Sequence, residues 1–248
     1  MALDRRRFLL ASAAPVAIGA GLTGLVVAPS AATAPAARPL TKARRGVGLG
    51  TQQVHWSVGP DEVLLSFDDG PYPALTPTVL DILDSYGIPA TFMVCGAFAA
   101  AHPDLVREIR WRGHAVGNHT WSHRDLSTLE PTVVRDELQR THDVLTDLVG
   151  DITLFRPPRG QLSGVALQAA AELGYDVLLW SAEELEPLVP GTLAVWHDGL
   201  GRGGFLEPDD PERRRRHDDR TAQIAQLPHA IDAALAQGVT FLAAPPVK

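Results

Sequence analysis

The segment Leu65-Ser66-Phe67-Asp68-Asp69-Gly70-Pro71 joins an apolar run to two adjacent acids and a Gly-Pro break. The apolar residues predict a buried strand, and the Gly-Pro pair predicts a turn directly after the acids. Neighbouring side chains in a strand point to opposite faces, so one aspartate would ordinarily face away from any site. Because the turn relieves this alternation, we expect Asp68 and Asp69 to share the end of the strand. Helix capping or turn formation is the structural alternative for the pair.

From residue 61 onward, short apolar segments alternate with longer amphipathic ones. The predicted strands are Glu62–Phe67, Ala90–Cys95, His114–Gly117, Ile152–Phe155, Tyr175–Trp180, Thr192–Trp196 and Val239–Ala243. The predicted helices are Thr76–Tyr86, Pro103–Arg112, Pro131–Leu148, Gly164–Leu173 and Thr221–Ala236. This alternation predicts a parallel α/β architecture, either an open sheet or a barrel. The strands are one fewer than in the regular barrel, and the Pro-rich connection 181–191 predicts an irregularity between the fifth and sixth.

The composition is that of a globular chain with one large domain or two small ones. The 248 residues are 45% hydrophobic and 21% charged, and the formal net charge of −7 gives no support for a nucleic-acid partner. The basic run 213–216 lies among acids, which predicts a solvated loop, with a basic clamp for an anionic polymer as the alternative. Cys95 is the only cysteine, so an intrachain disulfide is excluded.

The N-terminal segment has the layout of a secretory signal rather than of a folded element. Its basic start, Arg5-Arg6-x-Phe8-Leu9, precedes an Ala- and Gly-rich apolar stretch and resembles a twin-arginine signal. We therefore expect residues 1–37 to be a signal peptide, 38–60 a linker with an irregular lead-in, and 61–245 the catalytic domain. This predicts an exported, extracellular or cell-surface protein without stable membrane insertion after signal removal. An uncleaved membrane anchor is the alternative.

Polar side chains follow five of the predicted strands at the point where each strand ends. They are Asp68 and Asp69 after the first strand, Asn118, His119 and His123 after the third, Arg156 after the fourth, Glu183 after the fifth, and His197 and Asp198 after the sixth. The carboxyl ends of parallel strands meet at one edge, where α/β folds assemble active sites. The sequence therefore predicts one polar site at this edge.

His119 and His123 stand four residues apart, so a single helical turn would put both imidazoles on one face. With one carboxylate they would form a two-histidine, one-carboxylate metal site that leaves coordination positions open for water or substrate. The HExxH protease motif is excluded because Thr120 occupies the glutamate position. The second aspartate would then lie near the activated water, as a general base does. Surface or hydrogen-bonded histidines are the alternative to ligands.

Other polar residues at the same edge complete the groups that hydrolysis requires. An attacked carbonyl needs a donor for its developing oxyanion, and a backbone N–H in the turn 158–160 is suitable. A leaving amine needs a proton, for which His197 is the suitable acid. Arg156 is expected to pair with the base and keep it ionised. A structural histidine and a structural ion pair are the respective alternatives.

Six segments, in this order, resemble the polysaccharide deacetylases with the NodB homology domain, carbohydrate esterase family 4. They are LSFDDGP (65–71), YGIPATFMV (86–94), GHAVGNHTWSHRDLS (113–127), FRPPRG (155–160), LLWS (178–181) and LAVWHD (193–198). The resemblance covers roughly residues 60–245 and implies a distorted (β/α)7-type barrel. It also implies a metal-dependent hydrolase that removes acetyl groups from polysaccharides.

The resemblance implies a role for each residue of the predicted site. Asp68 would be the catalytic base, and one divalent metal ion, usually zinc, would be bound by Asp69, His119 and His123. Arg156 would pair with the base, the Arg159 N–H would contribute to the oxyanion site, and His197 would be the acid.

Two departures from the family pattern affect this expected site. Arg159 stands where many members have an aromatic residue, which keeps the backbone donor but changes the side chain at the substrate edge. The segment 180–187, WSAEELEP, stands where the family usually has WSVDxxDW, so glutamates replace both aspartates. We expect Glu183 to take part in the site and, with its longer reach, to hold its arginine or histidine partner differently. Such a change is consistent with lower activity or a different substrate.

Together these features predict a metal-dependent, monomeric N-deacetylase of N-acetylglucosamine-type residues in a peptidoglycan or chitin-like polysaccharide. Two alternatives stay open. One is an O-acetyl esterase acting on a xylan-type polymer, since ester and amide hydrolysis share an intermediate. The other is a carbohydrate-binding member of the family in which the altered fourth motif has impaired catalysis.

Overall fold

The computed structural model describes residues 52–206 and 209–244. The predicted signal peptide and most of the predicted linker lie outside these residues. The strands are Val54–His55 (β1), Glu62–Asp68 (β2), Thr91–Val94 (β3), Ala115–Asn118 (β4), Leu154–Phe155 (β5), Asp176–Leu178 (β6), Leu193–His197 (β7) and Thr240–Leu242 (β8). All seven predicted strands are confirmed, with small differences at their ends. β1 is an additional strand within the predicted lead-in, where it pairs with β6.

The helices are Thr76–Tyr86 (α1), Gly96–Ala101 (α2), Pro103–Trp111 (α3), Pro131–Val149 (α4), Gly164–Glu172 (α5), Pro211–Ile224 (α6) and Leu227–Leu235 (α7). Four predicted helices are confirmed, at α1, α3, α4 and α5. The fifth prediction, one helix over Thr221–Ala236, is wrong because α6 ends at Ile224 and a separate helix, α7, begins at Leu227. Pro228 lies in the first turn of α7, whereas inside a continuous helix it would clash with the preceding turn. Within the described ranges, none of these helices is long and apolar enough to cross a membrane.

The basic run Arg213–Arg216 lies in α6, so the prediction of a solvated loop is wrong. Asp210 caps this helix by accepting a hydrogen bond from the Glu212 N–H at 2.8 Å, and Pro211 occupies its first turn. Glu212 also pairs with Arg216 across one turn at 2.8 Å. These local interactions stabilise a helix in a segment that has too few apolar residues for periodicity to indicate one.

All strand pairs in the sheet are parallel, in the order β1-β6-β5-β4-β3-β2-β7, with β8 paired to β2. The sheet forms the predicted distorted barrel, although no ladder joins β6 to β7 in the part of the chain that the structure describes. Instead, the Ser181 N–H donates to the Leu193 carbonyl at 2.8 Å, and the Val195 N–H donates to the Ala182 carbonyl at 2.9 Å. This seam, residues 181–182 against 193–195, is the irregularity that the Pro-rich connection predicted.

Side chains along β2 alternate between the barrel interior and the helices outside. Leu64 belongs to a small interior cluster with Met93, Leu154, Leu178 and Leu193. Val63, Leu65 and Phe67 belong to the larger cluster that the helices cover. The alternation therefore directs Ser66 and Asp68 into the barrel, and Asp68 brings a carboxylate to the end where β2 stops.

Candidate active site

Asp68 and Asp69 lie side by side at the end of β2, and both are buried. Asp69 has a φ of 74°, in the left-handed region that aspartate tolerates better than most residues; the Gly70–Pro71 bond that follows is cis. The Nε2 atom of His119 lies 3.6 Å from Asp68 Oδ2 and 3.5 Å from Asp69 Oδ1, so both carboxylates face one imidazole. The strand alternation is thus relieved at Asp69 itself, one residue before the Gly-Pro pair.

Two glycines allow the ends of β2 and β7 to approach each other at the site. A Cβ atom on Gly199 would lie 2.0 Å from the Asp69 carbonyl oxygen, closer than side chains permit. A Cβ atom on Gly70 would lie 2.4 Å from Asp198 Oδ1. Asp198 accepts a hydrogen bond from the Thr76 hydroxyl at 2.6 Å, and burial together with the nearby Asp69 raises its pKa to about 7. The turn that carries Asp69 is therefore packed directly against the end of β7.

Asp69, His119 and His123 converge on one point and offer ligand atoms within 4.8 Å of one another. Asp69 Oδ1 lies 3.1 Å from His123 Nε2, and this buried oxygen has no hydrogen-bond partner among the described residues. The Nδ1 atom of His119 lies 2.8 Å from the Arg156 carbonyl, which only accepts, so Nδ1 carries the proton. This contact leaves Nε2 as the ring nitrogen of His119 that faces Asp69 and that would bind a cation. These donors fit the expected two-histidine, one-carboxylate metal site.

The two histidines do not converge in the way that their spacing predicted. The segment 119–123 is not helical, and it contains two non-glycine residues in the left-handed region, Thr120 with a φ of 68° and His123 with a φ of 51°. The expectation of a helical turn is therefore wrong, although the imidazole centroids still lie 5.0 Å apart.

The protonation states of two of these three groups, Asp69 and His123, suit a cation. Burial alone would raise the pKa of Asp69, but the neighbouring imidazoles of His123 and His119 outweigh burial and hold this pKa well below its usual value. Burial lowers the pKa of His123 to about 4. At neutral pH Asp69 is consequently an anion and His123 a neutral imidazole, the forms in which each binds a metal ion.

The segment between the two histidines is held by α4 and by Asn118, the last residue of β4. Asn118 Oδ1 accepts a hydrogen bond from the Thr120 N–H at 2.9 Å. The buried carboxylate of Glu137, on α4, accepts hydrogen bonds from the Ser122 N–H at 2.8 Å and from the Ser122 hydroxyl at 2.6 Å. Arg140, one turn further along α4, lies 4.0 Å from the centre of the Trp121 ring. Sequence reasoning missed Glu137, because an acid on a charged amphipathic helix resembles a surface residue.

Arg156 is fully buried inside the barrel and pairs with Asp68. Its other hydrogen bonds run to the Ser66 hydroxyl at 2.9 Å and to the carbonyls of Leu178 and Leu179 at 2.7 and 2.9 Å. Every nitrogen of the guanidinium thus has an acceptor. The Asp68 carboxylate is consequently fixed by a side chain that is itself anchored to two strands.

His197 lies beside Asp68, because the β2–β7 register pairs these two residues. Its Nδ1 atom lies 2.8 Å from Glu184 Oε2, and since a carboxylate only accepts, Nδ1 carries a proton. The sequence predicts Glu183 for this part of the site, but in the structure its neighbour Glu184 makes the contact. Glu183 is exposed, and its backbone N–H donates to Glu186 Oε2 at 2.9 Å. Glu183 and Glu184 lie in the irregular connection after the seam. Strand periodicity cannot predict which of them faces inward, because this connection is not a strand.

Arg159 follows β5 in a short 3-10 turn, Pro158–Gly160. Its φ of 59° is left-handed, and its side chain is exposed, with the guanidinium 3.7 Å from Asp125. The side chain therefore lies at the outside of the site, and the turn determines the conformation of the Arg159 backbone.

The arrangement brings two carboxylates, three imidazoles and one guanidinium to one edge of the barrel. Of the residues predicted for the site, Asp68, Asp69, His119, His123, Arg156 and His197 are joined by the contacts described above. A buried carboxylate beside activated water acts as a base, and an imidazole with an anchored Nδ1–H presents Nε2 for proton transfer. The chemistry that these groups support is metal-assisted hydrolysis.

Comparisons with known proteins find deacetylases among the relatives of this chain. The sequence profile of the family described as polysaccharide deacetylase matches residues 57–178. A chitooligosaccharide deacetylase of a Bradyrhizobium strain is 34% identical over 162 residues, which cover 58% of this chain and 74% of that protein. A peptidoglycan-N-acetylglucosamine deacetylase of Bacillus cereus is 36% identical over 126 residues, which cover 50% of this chain and 46% of that protein. A crystal structure of a peptidoglycan N-acetylglucosamine deacetylase superposes with a TM-score of 0.64 and 26% identity, over 76% of this chain and 89% of that chain.

Proposed function

This chain belongs to the polysaccharide deacetylase family, carbohydrate esterase family 4, and from that membership we propose that it removes N-acetyl groups from N-acetylglucosamine-type residues with one divalent metal ion, zinc. The polysaccharide would be peptidoglycan or a chitin-like polymer, the substrates that the names of its relatives mention. The observation that carries the proposal is the unpartnered, buried Oδ1 of Asp69 between two imidazoles, directly beside a second carboxylate.

Asp69, His119 and His123 would hold the metal ion. A divalent ion bound there supplies Lewis-acid polarisation of the acetyl carbonyl and lowers the pKa of water. The backbone N–H of Arg159, at the turn after β5, would donate to the developing oxyanion. This N–H would stabilise the negative charge that grows on the carbonyl oxygen when water attacks the carbonyl carbon.

Asp68 would act as the general base. It takes a proton from water as the water oxygen attacks the acetyl carbon, and Arg156 keeps its carboxylate aimed at the site. His197 would act as the general acid, because its Nδ1–H is anchored to Glu184 and its Nε2 is left to face the substrate. His197 gives a proton to the leaving nitrogen as the C–N bond breaks, so that acetate and a free amine are the products.

An acetate-release assay tests the proposal. Acetate released from chitooligosaccharides and from peptidoglycan is measured for protein stripped of metal and for the same protein reloaded with zinc. We expect Asp69→Ala and His123→Ala to lose both zinc binding and acetate release. His229→Ala, at an exposed histidine on α7, is the matched control and should retain both. Full activity in a variant that holds no metal would contradict the mechanism.

The same assay distinguishes the two alternatives. Acetate released from acetylxylan but not from N-acetylated polymers would establish an O-acetyl esterase. Zinc and glycan binding without acetate release from any polymer would establish a carbohydrate-binding member with impaired catalysis. In either case the proposed N-deacetylase is wrong.

We also propose that residues 1–37 export the protein through the twin-arginine route. The support is the order Arg5-Arg6-x-Phe8-Leu9 before an apolar stretch, and these residues lie outside the described ranges. Replacing Arg5 and Arg6 by lysine should leave the protein inside the cell in a fractionation experiment. Unchanged export of this variant would contradict the route.

A further inference from the structure

We propose that Arg220 is a positioning residue for the catalytic acid: it holds Glu184 so that Glu184 in turn orients His197. The inference rests on the proposed function for the role of His197 as acid. Arg220 lies on α6, well separated in sequence from every segment of the family resemblance. Its guanidinium nevertheless reaches the carboxylate that contacts His197.

The two oxygens of Glu184 are divided between two partners. Oε1 accepts a hydrogen bond from Arg220 Nη1, and Oε2 accepts the Nδ1–H of His197 at 2.8 Å. Arg220 Nη1 also donates to Gln223 Oε1 at 2.8 Å, which anchors the guanidinium to its own helix. The side chains of Arg220, Glu184 and His197 are 17%, 14% and 20% exposed, so this chain of contacts is largely shielded from solvent. Shielded charges interact more strongly than an exposed surface pair does.

Glu184 needs such an anchor because its backbone gives it little support. It lies in the irregular connection between β6 and β7, and the next residue, Leu185, is left-handed with a φ of 70° and is 60% exposed. A glutamate side chain has three rotatable bonds, and restricting them to the one orientation that contacts His197 costs conformational entropy. With Arg220 on one oxygen, the other oxygen has a fixed direction toward His197.

The helix that carries Arg220 is itself attached to the site. Arg213 donates to the Leu206 carbonyl at 2.6 Å, and a Cβ atom on Gly203 would lie 2.4 Å from Arg216 Cδ. Arg213, Arg216 and Arg220 are spaced by three and four residues, so they lie on one face of α6. This inner face turns toward the segment 201–206 and Glu184, while the outer face of the helix is exposed.

The charge state of Glu184 agrees with this role. Burial alone would raise its pKa, but the hydrogen bond from His197 and the charges of His197 and Arg220 outweigh burial, and the pKa lies below its usual value. Glu184 is therefore an anion when it accepts the Nδ1–H of His197.

Kinetic measurements on Arg220 variants with two different substrates test the inference. An N-acetyl chitooligosaccharide needs its leaving amine to be protonated, whereas an aryl acetate releases a phenolate that needs no proton. For Arg220→Met we expect kcat on the amide to fall about tenfold, a part of the 10²–10⁴ that a positioned proton donor contributes, with KM unchanged. Aryl acetate hydrolysis should change less than about twofold. Arg220→Lys should recover part of the amide activity, because it restores the charge without the planar fork.

Arg214→Met is the matched control, since Arg214 lies on the exposed face of the same helix and should leave both activities unchanged. Equal losses on the amide and the aryl ester in Arg220→Met would indicate a general structural role and would overturn the inference. Unchanged amide hydrolysis would overturn it as well.

A readout without turnover separates this inference from the proposed function. In ¹⁵N-histidine NMR of the protein as purified, with His197 assigned from a His197→Gln variant, the hydrogen-bonded Nδ1–H should broaden or shift in Arg220→Met and stay in Arg214→Met. The same signal in both variants would overturn the inference. If no polymer releases acetate but the signal depends on Arg220, the proposed function fails and the positioning of His197 stands.

Discussion

Glu137 on α4 offers the sharpest test of how the proposed metal ligands are held, through the variant Glu137→Gln. The carboxylate is buried and accepts both polar hydrogens of Ser122, which lies directly before His123. A glutamine of the same size keeps one acceptor oxygen and places an NH₂ group against the other donor. We predict that the variant folds but binds zinc less tightly than the wild type.

The magnitude follows from these two contacts. A hydrogen bond to a charged group contributes about 1.5–3 kcal/mol, so the loss of one should lower the free energy of unfolding by about 2 kcal/mol. Thr120 and His123 both hold left-handed conformations that cost about 1–2 kcal/mol each, and the Ser122 contacts help to maintain them. If about 1.4 kcal/mol is lost from the ligand-holding conformation, the Kd for zinc rises about tenfold. This is the lower end of the 10–100-fold range for residues that orient metal ligands.

Zinc affinity would be measured by competition with a chromophoric chelator, and stability by urea unfolding of the metal-free protein. Asp147→Asn, at an exposed acid on the same helix, is the matched control and should change neither quantity. If Glu137→Gln binds zinc as tightly as Asp147→Asn does, the clamp from α4 does not hold the ligands, and Asn118 and the strand ends alone must do so.

Two further predictions concern a glycine at the site and a histidine away from it. Gly201 has a φ of 52°, and a Cβ atom there would lie 2.8 Å from Asp69 Oδ2, so Gly201→Ala should lower zinc affinity and acetate release together. Gly174→Ala is the control, because it has the same left-handed penalty with nothing within 4 Å of the added carbon, and only its stability should fall. Burial lowers the pKa of His114 from 6.5 to about 4, so the unfolded chain takes up this proton first as the pH falls. Stability should therefore be fully present above pH 6.5 and decrease by up to about 3 kcal/mol toward pH 4, and urea titrations of His114→Gln should show a weaker decrease.

The sequence predicted most of the site because parallel strands bring their carboxyl ends to one edge. Asp68, Asp69, His119, Arg156 and His197 each follow or end a strand, so a correct set of strands was enough to bring them together. The backbone conformations were not predictable in the same way, since left-handed aspartate, threonine and histidine residues depend on tertiary contacts.

Residues outside the strands were the ones that sequence reasoning missed. Glu184 rather than Glu183 faces His197, because the connection after β6 has no period that would assign its side chains to a face. Glu137 and Arg220 lie on helices, where a charged residue ordinarily faces solvent. Their partners are far away in the sequence, and only the packing of α4 and α6 against the site identifies them.

Because the seam between β6 and β7 is not a continuous ladder, the positions of His197 and Glu184 are determined by different parts of the fold. His197 is placed by its register with β2, so its location is tied to the strand that carries both aspartates. Its partner Glu184 lies in the connection between the seam and β7, where few backbone hydrogen bonds restrict the length or sequence of the chain. Substitutions there change the group that contacts Nδ1 of His197 without changing the position of His197 along β7. In a protein built in this way, the partner of the proposed acid can change while the strand positions of the other site residues stay the same.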